Sequence, residues 1–359
     1  MQQIEVVEDC MGFKRMFDAV ECHEGEPLRV ITTGIPTIPG DSVYEQCMWL
    51  REHDDQLRLL MLREPRGMPA TCANLIVPAK DPRAAAGYII MEQTEYPMMS
   101  GGNTIAVATA LLETGLLPMK EPVTEFYLEA PAGLIHITAE CSKGKVTSVT
   151  FKNVPSFAVY LDKEIEVPHL GKVKVDIAWG GMFYTVIDAT QFEGLKLVPE
   201  MGREIARISA LCTRAAMDQL PVEHPDYPGV GITLSIMHAP PVTPGTYMRS
   251  SNVVFTGEID FDRPETWTGA LDRGCCGTGT CALMAVEHAK GRLKVNEPFY
   301  NEGLLGVTFT GHAVEETELH GHKAIVPTIG GQCWIYGFSK WVLDETDPFP
   351  NGFTIGDIW

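Results

Sequence analysis

The sequence predicts an α/β protein built as two similar lobes, and three observations carry that reading. Two short stretches look like copies of each other: Ser100-Gly101-Gly102-Asn103-Thr104-Ile105-Ala106 and Cys276-Gly277-Thr278-Gly279-Thr280-Cys281-Ala282. Placing Ser100 on Cys276 matches Gly101 with Gly277, Thr104 with Thr280, Ala106 with Ala282 and Gly115 with Gly291. The order of strand-like and helix-like segments in the first half recurs in the second. Finally, 359 residues exceed what one hydrophobic core ordinarily serves.

In chain order, residues 1–17 carry little pattern and read as a helical or loose extension. A first strand is expected at 28–33, closed by Gly34-Ile35-Pro36. A helix over 42–56 follows, with Val43, Cys47 and Leu50 on one face. Strands are expected at 57–62, 73–77 and 87–91. The Ser100 stretch then opens a helix with Ile105, Ala108, Leu111 and Leu112 at helical spacing, stopped by Gly115. Further strands are expected at 125–129, 134–139 and 146–151. Pro155 and Ser156 interrupt the pattern and suggest a crossover. The lobes are therefore placed at 18–154 and 155–334, with 335–359 expected to return to the first.

The second half starts with strands at 173–177 and 183–187, then a helix over 199–219 with Ile205, Ile208, Leu211, Cys212 and Ala215 on one face. Strands at 232–237 and 252–255 lead into a polar loop over 256–270. Cys276 opens a helix carrying Cys281, Met284, Ala285 and His288, which Gly291 ends. Strands at 306–309 and 324–329 complete the repeat.

Composition narrows the function. A hydrophobic fraction of 45% with 21% charged residues is that of a soluble globular protein. The first residues lack the basic and apolar regions of a secretion signal, so a cytoplasmic location is expected. A net charge of -19 argues against nucleic acid or anionic membrane as a partner. The ten cysteines are scattered without a C-x-x-C pair, so neither a zinc site nor a disulfide framework is expected. His320 and His322 have the spacing of two ligands on a strand but no evident third partner, and no metal is expected.

Each opening places a nucleophile-type side chain ahead of a Gly-rich turn at a helix start. Two helix N-termini together make an anion site, with groups able to move a proton on either side. Taken alone, Ser100 would read as an ordinary N-cap, whereas a buried structural thiol is the lesser reading of Cys276 because a Gly-rich turn follows it. Gly277-Thr278-Gly279-Thr280 lacks the Lys that a phosphate-binding loop requires.

Motifs along nearly the whole chain, from about 18 to 353, resemble the proline racemase superfamily, which includes 4-hydroxyproline epimerases and trans-3-hydroxy-L-proline dehydratases. They are His23 with Gly25-Glu26-Pro27, Glu64-Pro65-Arg66-Gly67, Met99-Ser100-Gly101 and Asn153-Val154-Pro155-Ser156-Phe157. Further on come Asp176-Ile177-Ala178-Trp179-Gly180-Gly181, Asn252-Val253-Val254-Phe255, Asp272-Arg273 ahead of Cys276-Gly277-Thr278-Gly279-Thr280, and Asp347-Pro348-Phe349 with Gly352-Phe353.

The resemblance implies two pseudo-symmetric lobes, each a curved, mostly antiparallel sheet wrapped around a central helix, with the site between them. It assigns proton transfer to Ser100 and Cys276, and substrate contacts to Gly101, Gly102, Asp272, Gly277 and Thr278. Backbone N–H groups at the helix starts would hold a carboxylate and Asp272 the ring ammonium, with no cofactor or metal. Homodimerisation is implied by the family alone.

Two departures bear on the reaction. Racemases and epimerases of the family usually read Met-Cys-Gly-His where this chain has Met99-Ser100-Gly101-Gly102, and Ser-Pro ahead of the second Cys where it has Gly274-Cys275. Racemisation needs acid and base of similar strength on opposite faces, whereas β-elimination divides two different tasks. A Ser/Cys pair therefore points to dehydration of trans-3-hydroxy-L-proline to a pyrroline-2-carboxylate. The alternatives are a 4-hydroxyproline 2-epimerase, alone or with dehydratase activity, and a non-catalytic binder of cyclic amino acids. The helix N-terminus is expected to lower the Cys276 thiol pKa. Which of the pair takes the α-proton is left open.

Overall fold

The computed structural model describes residues 13–255 and 257–356. The first half contains β1 (Phe13–His23), β2 (Pro27–Ile31), α1 (Val43–His53), α2 (Gln56–Leu62), β3 (Cys72–Val77), β4 (Ala86–Met91) and α3 (Gly101–Glu113). It closes with β5 (Val123–Ala130), β6 (Gly133–Ser142) and β7 (Lys145–Lys152). The second half begins β8 (Ser156–Val167), β9 (Gly171–Trp179), β10 (Phe183–Asp188), α4 (Gly202–Gln219), β11 (Ile232–Ala239), β12 (Met248–Val254), β13 (Ala270–Leu271) and α5 (Gly277–Ala289). It ends with β14 (Pro298–Glu302), β15 (Thr308–Leu319), β16 (His322–Gly331) and β17 (Trp334–Asp344).

Strand pairing repeats between the halves. In the first, β1 lies antiparallel to β2, β2 parallel to β3, β3 antiparallel to β4 and β4 parallel to β5, with β5-β6-β7 as a meander. In the second, β9 through β12, β14, β15 and β16 follow the same sequence of directions. On the other flank, β17 lies antiparallel to β1 as β8 does to β9. Pairing of β16 with β8 closes the second half into a ring. The first half instead passes its β7 to β16, which joins all the strands into one sheet.

Helix composition decides which helices the sheet encloses. In α3 every residue from Gly101 to Leu112 is buried, and in α5 every residue from Gly277 to Glu287. A helix apolar on all sides has to be surrounded, and α3 and α5 run through the two curved halves. By contrast α4 buries Ile205, Ile208, Leu211, Cys212 and Ala215 on one face, and packs outside the second half against β8, β10 and β11. Gly115 (φ 76°) and Gly291 (φ 72°) end the two inner helices in the left-handed region, as their sequence positions predict.

Several expectations are corrected. Residues 57–62 form helix α2, not a strand. A short apolar run does not discriminate between the two by period, and these leucines lack β-branching. The helix expected over 42–56 stops at His53 and restarts at Gln56. Residues 13–17 belong to β1, whose partner β17 lies more than three hundred residues away. No strand was expected at β8, β14 or β17. None of the described cysteines is in a disulfide, and no described helix is long and apolar enough to cross a membrane.

Candidate active site

The first turns of α3 and α5 meet backbone to backbone. A Cβ on Gly101 would lie 2.7 Å from the Gly277 Cα, and one on Gly277 would lie 2.6 Å from the Gly101 Cα. Only glycine fits at either position. Behind them the matched threonines act alike: Thr104 Oγ1 donates to the Ser100 carbonyl at 2.7 Å, and Thr280 Oγ1 to the Cys276 carbonyl at 2.6 Å. The duplicated residues therefore hold two helix N-termini side by side, each with the same threonine-to-carbonyl bond.

Ser100 and Cys276 line one cleft, together with Gly102, Asp272, Gly277 and Thr278. Gly101 forms the backbone contact beneath it. Ser100 is extended (φ −145°, ψ 126°), and its side chain bonds to none of the helix amides, so it is not a side-chain N-cap. Its Oγ accepts from Asn103 Nδ2 at 2.9 Å, and Asn103 Oδ1 accepts from Asn74 Nδ2 at 2.6 Å. Cys276 is differently placed. Its Sγ accepts the Gly279 N–H at 3.3 Å and lies 3.2 Å from the Tyr184 hydroxyl, which is 2.6 Å from Thr278 Oγ1.

Electrostatics correct one expectation. The Cys276 thiol pKa is pushed up, not down: burial outweighs the Tyr184, Gly279 and Thr278 hydrogen bonds that favour the thiolate, and the Asp272 carboxylate adds to the rise. Asp272 follows β13 and accepts from Asn252 Nδ2 at 2.8 Å. Burial raises its carboxyl to about 6, against hydrogen bonds from Asn252 and Cys276. A ligand ammonium at Asp272 would offset that negative charge and ease thiolate formation.

Sequence reasoning missed the cleft's other acids. Glu24, Glu26, Glu92 and Glu95 line it, and no Lys, Arg or His does so among the described residues. Burial is the main reason that all four are raised, Glu95 to about 7, and Asp272 pushes Glu24, Glu26 and Glu92 up further. Only Glu26 lay within a motif. The others are brought in by the β1–β2 turn and the segment after β4, for which sequence carries no local signal.

The histidines fall elsewhere. His23 stacks on Trp334 with ring centroids 5.5 Å apart. His320 has partners after all: Nε2 lies 2.7 Å from Asp226 Oδ2, and His224 lies within reach, the ligand atoms of the three being within 4.8 Å of one another. His322 stacks on Phe157 instead.

A profile of the proline racemase family matches residues 19–354. Among solved structures, the chain is similar to a hydroxyproline epimerase from Agrobacterium vitis with bound trans-4-OH-L-proline, at 36% identity and TM-score 0.87, covering 97% of this chain and 98% of that one. A probable proline racemase from Agrobacterium radiobacter, with bound carbonate, matches at 35% identity and TM-score 0.87 over 96% and 98%. A phenazine biosynthesis protein from Bacillus anthracis shares the fold at 12% identity and TM-score 0.55, over 91% and 99%.

Proposed function

The chain belongs to the proline racemase family, and from that premise we propose that it dehydrates trans-3-hydroxy-L-proline to a pyrroline-2-carboxylate without a cofactor. The observation that carries the reading is the inequality of the paired side chains. Cys276 is a thiol supplied with donors that stabilise its anion, whereas Ser100 is an alcohol held by the Asn103 amide. An unequal pair serves elimination better than reversible inversion.

In this reading the substrate carboxylate lies at the paired starts of α3 and α5. Backbone N–H groups already aimed there stabilise the charge that builds as Cα loses its proton. Asp272 takes the ring ammonium, and the cation in turn lowers the cost of ionising Cys276. The Cys276 thiolate removes the α-proton. The electron pair forms the Cα–C3 double bond as the C3–O bond breaks, the hydroxyl takes a proton from an acid lining the cleft and leaves as water, and the enamine tautomerises to the imine.

Incubation with trans-3-hydroxy-L-proline should release an imine that borohydride reduces to proline. Likeness to a hydroxyproline epimerase with bound trans-4-OH-L-proline favours a second reading, epimerisation at C2 of 4-hydroxyproline. Inversion and Cα–H exchange on that compound in deuterated water, with no dehydration of the 3-hydroxy isomer, would establish the second reading and remove the first.

A further inference from the structure

We propose that Glu24 is the acid that protonates the departing ring hydroxyl, a role that rests on the dehydratase reading. Glu24 sits in the turn between β1 and β2, which packs on the segment leading into Cys276: a Cβ on Gly25 would lie 2.6 Å from the Gly274 Cα. Its carboxyl is wedged between the two openings. A Cβ on Gly102, in the first turn of α3, would lie 2.4 Å from Glu24 Oε1, and one on Gly274 would lie 1.8 Å from Oε2. Glycine at both places leaves room for this side chain, which lines the cleft beside Ser100 and Cys276.

Its surroundings dictate its protonation. Glu24 is 3% exposed, and its Oε2 is buried with no hydrogen-bond partner. No cationic side chain lines the cleft among the described residues, and Asp272 adds negative charge. A carboxylate in such a place would be buried and uncompensated, so the neutral acid is the stable form. A neutral carboxyl carries a proton that it can give, and it is a far stronger acid than the Ser100 alcohol.

The step balances without a further reagent. Cys276 takes the Cα proton, and the Cα–H pair becomes the Cα–C3 double bond. The C3–O bond breaks onto oxygen, and the Glu24 proton completes water. The Cys276 proton, through solvent, then restores the Glu24 acid.

The test compares water and fluoride as leaving groups in the full chain, because fluoride departs as a stable anion and needs much less protonation. Glu24→Gln should lower elimination of water from trans-3-hydroxy-L-proline by about 100-fold or more, the size of general-acid catalysis. Elimination of fluoride from trans-3-fluoro-L-proline should fall by less than about tenfold, and Glu24→Asp should recover part of the lost rate. Pyrrole-2-carboxylate binding and the thermal midpoint should match those of the unaltered protein. Equal losses with both substrates, or water elimination within a few-fold of the unaltered protein, would overturn the role of Glu24. An unaltered protein that dehydrates nothing removes the dehydratase reading first, and Glu24's part with it.

Discussion

At the Cys276 end of the cleft the sulfur meets a helix amide, a phenol and a threonine hydroxyl; at the Ser100 end the oxygen accepts from the Asn103 side chain and from none of the helix amides. The glycines in contact and the threonines bonded back to the leading carbonyl are shared by the two. Side-chain chemistry is not. The difference teaches that a duplicated frame keeps two helix N-termini at contact distance while the side chains at their heads are free to diverge.

The largest effect should come from removing each group in turn. Cys276→Ala is expected to lower turnover of the proposed substrate by about 10⁴-fold, the upper end of the usual span for acid–base groups, and Ser100→Ala by much less. Initial rates, with pyrrole-2-carboxylate binding as a control, check this. Equal losses would break the comparison, because they would mean that the ends share the work evenly.

A smaller effect tests the shared frame. Gly277→Ala drives a methyl group into the Gly101 backbone, and overpacking of this kind costs about 1–3 kcal/mol. A lowered unfolding midpoint is expected, and an unchanged one would show that the helix starts part without cost.

Making the ends alike sharpens the argument further. Ser100→Cys should raise epimerisation relative to dehydration by up to about tenfold, ~1.4 kcal/mol of relative barrier. Product ratios on the 3- and 4-hydroxy isomers measure it, and a constant ratio would count against the argument from unequal partners.

The mildest effect follows from the acids between the two ends. Asp272 is raised to about 6 and Glu95 to about 7, both chiefly by burial. Between their unfolded pKa values near 4 and these folded ones, the native protein binds more protons than the unfolded chain, so stability falls as pH rises. The thermal midpoint should decline between about pH 4 and pH 7. A midpoint that climbs over this range would contradict the burial of these groups.

Features with local causes were legible in the sequence. Gly115 and Gly291 ended their helices because the left-handed position past a helix favours glycine. The helical spacing within the two inner helices, and the match of Thr104 with Thr280, were visible without coordinates. The run at 57–62 was misread because a short apolar segment has no decisive period. Strands β8, β14 and β17 were missed because each is recognised by its partner across the sheet more than by its own residues.

The sequence by itself determined that two glycine-led helix starts exist, that one carries a hydroxyl and the other a thiol, and that the halves repeat. Spacing and backbone preference suffice for that. Only the tertiary structure decided that Gly101 touches Gly277, that five carboxyl groups gather around that contact, and that burial drives the Cys276 pKa upward where a helix start alone would lower it. Desolvation and long-range contact depend on what the folded chain brings near, and neighbouring residues in sequence do not carry that information.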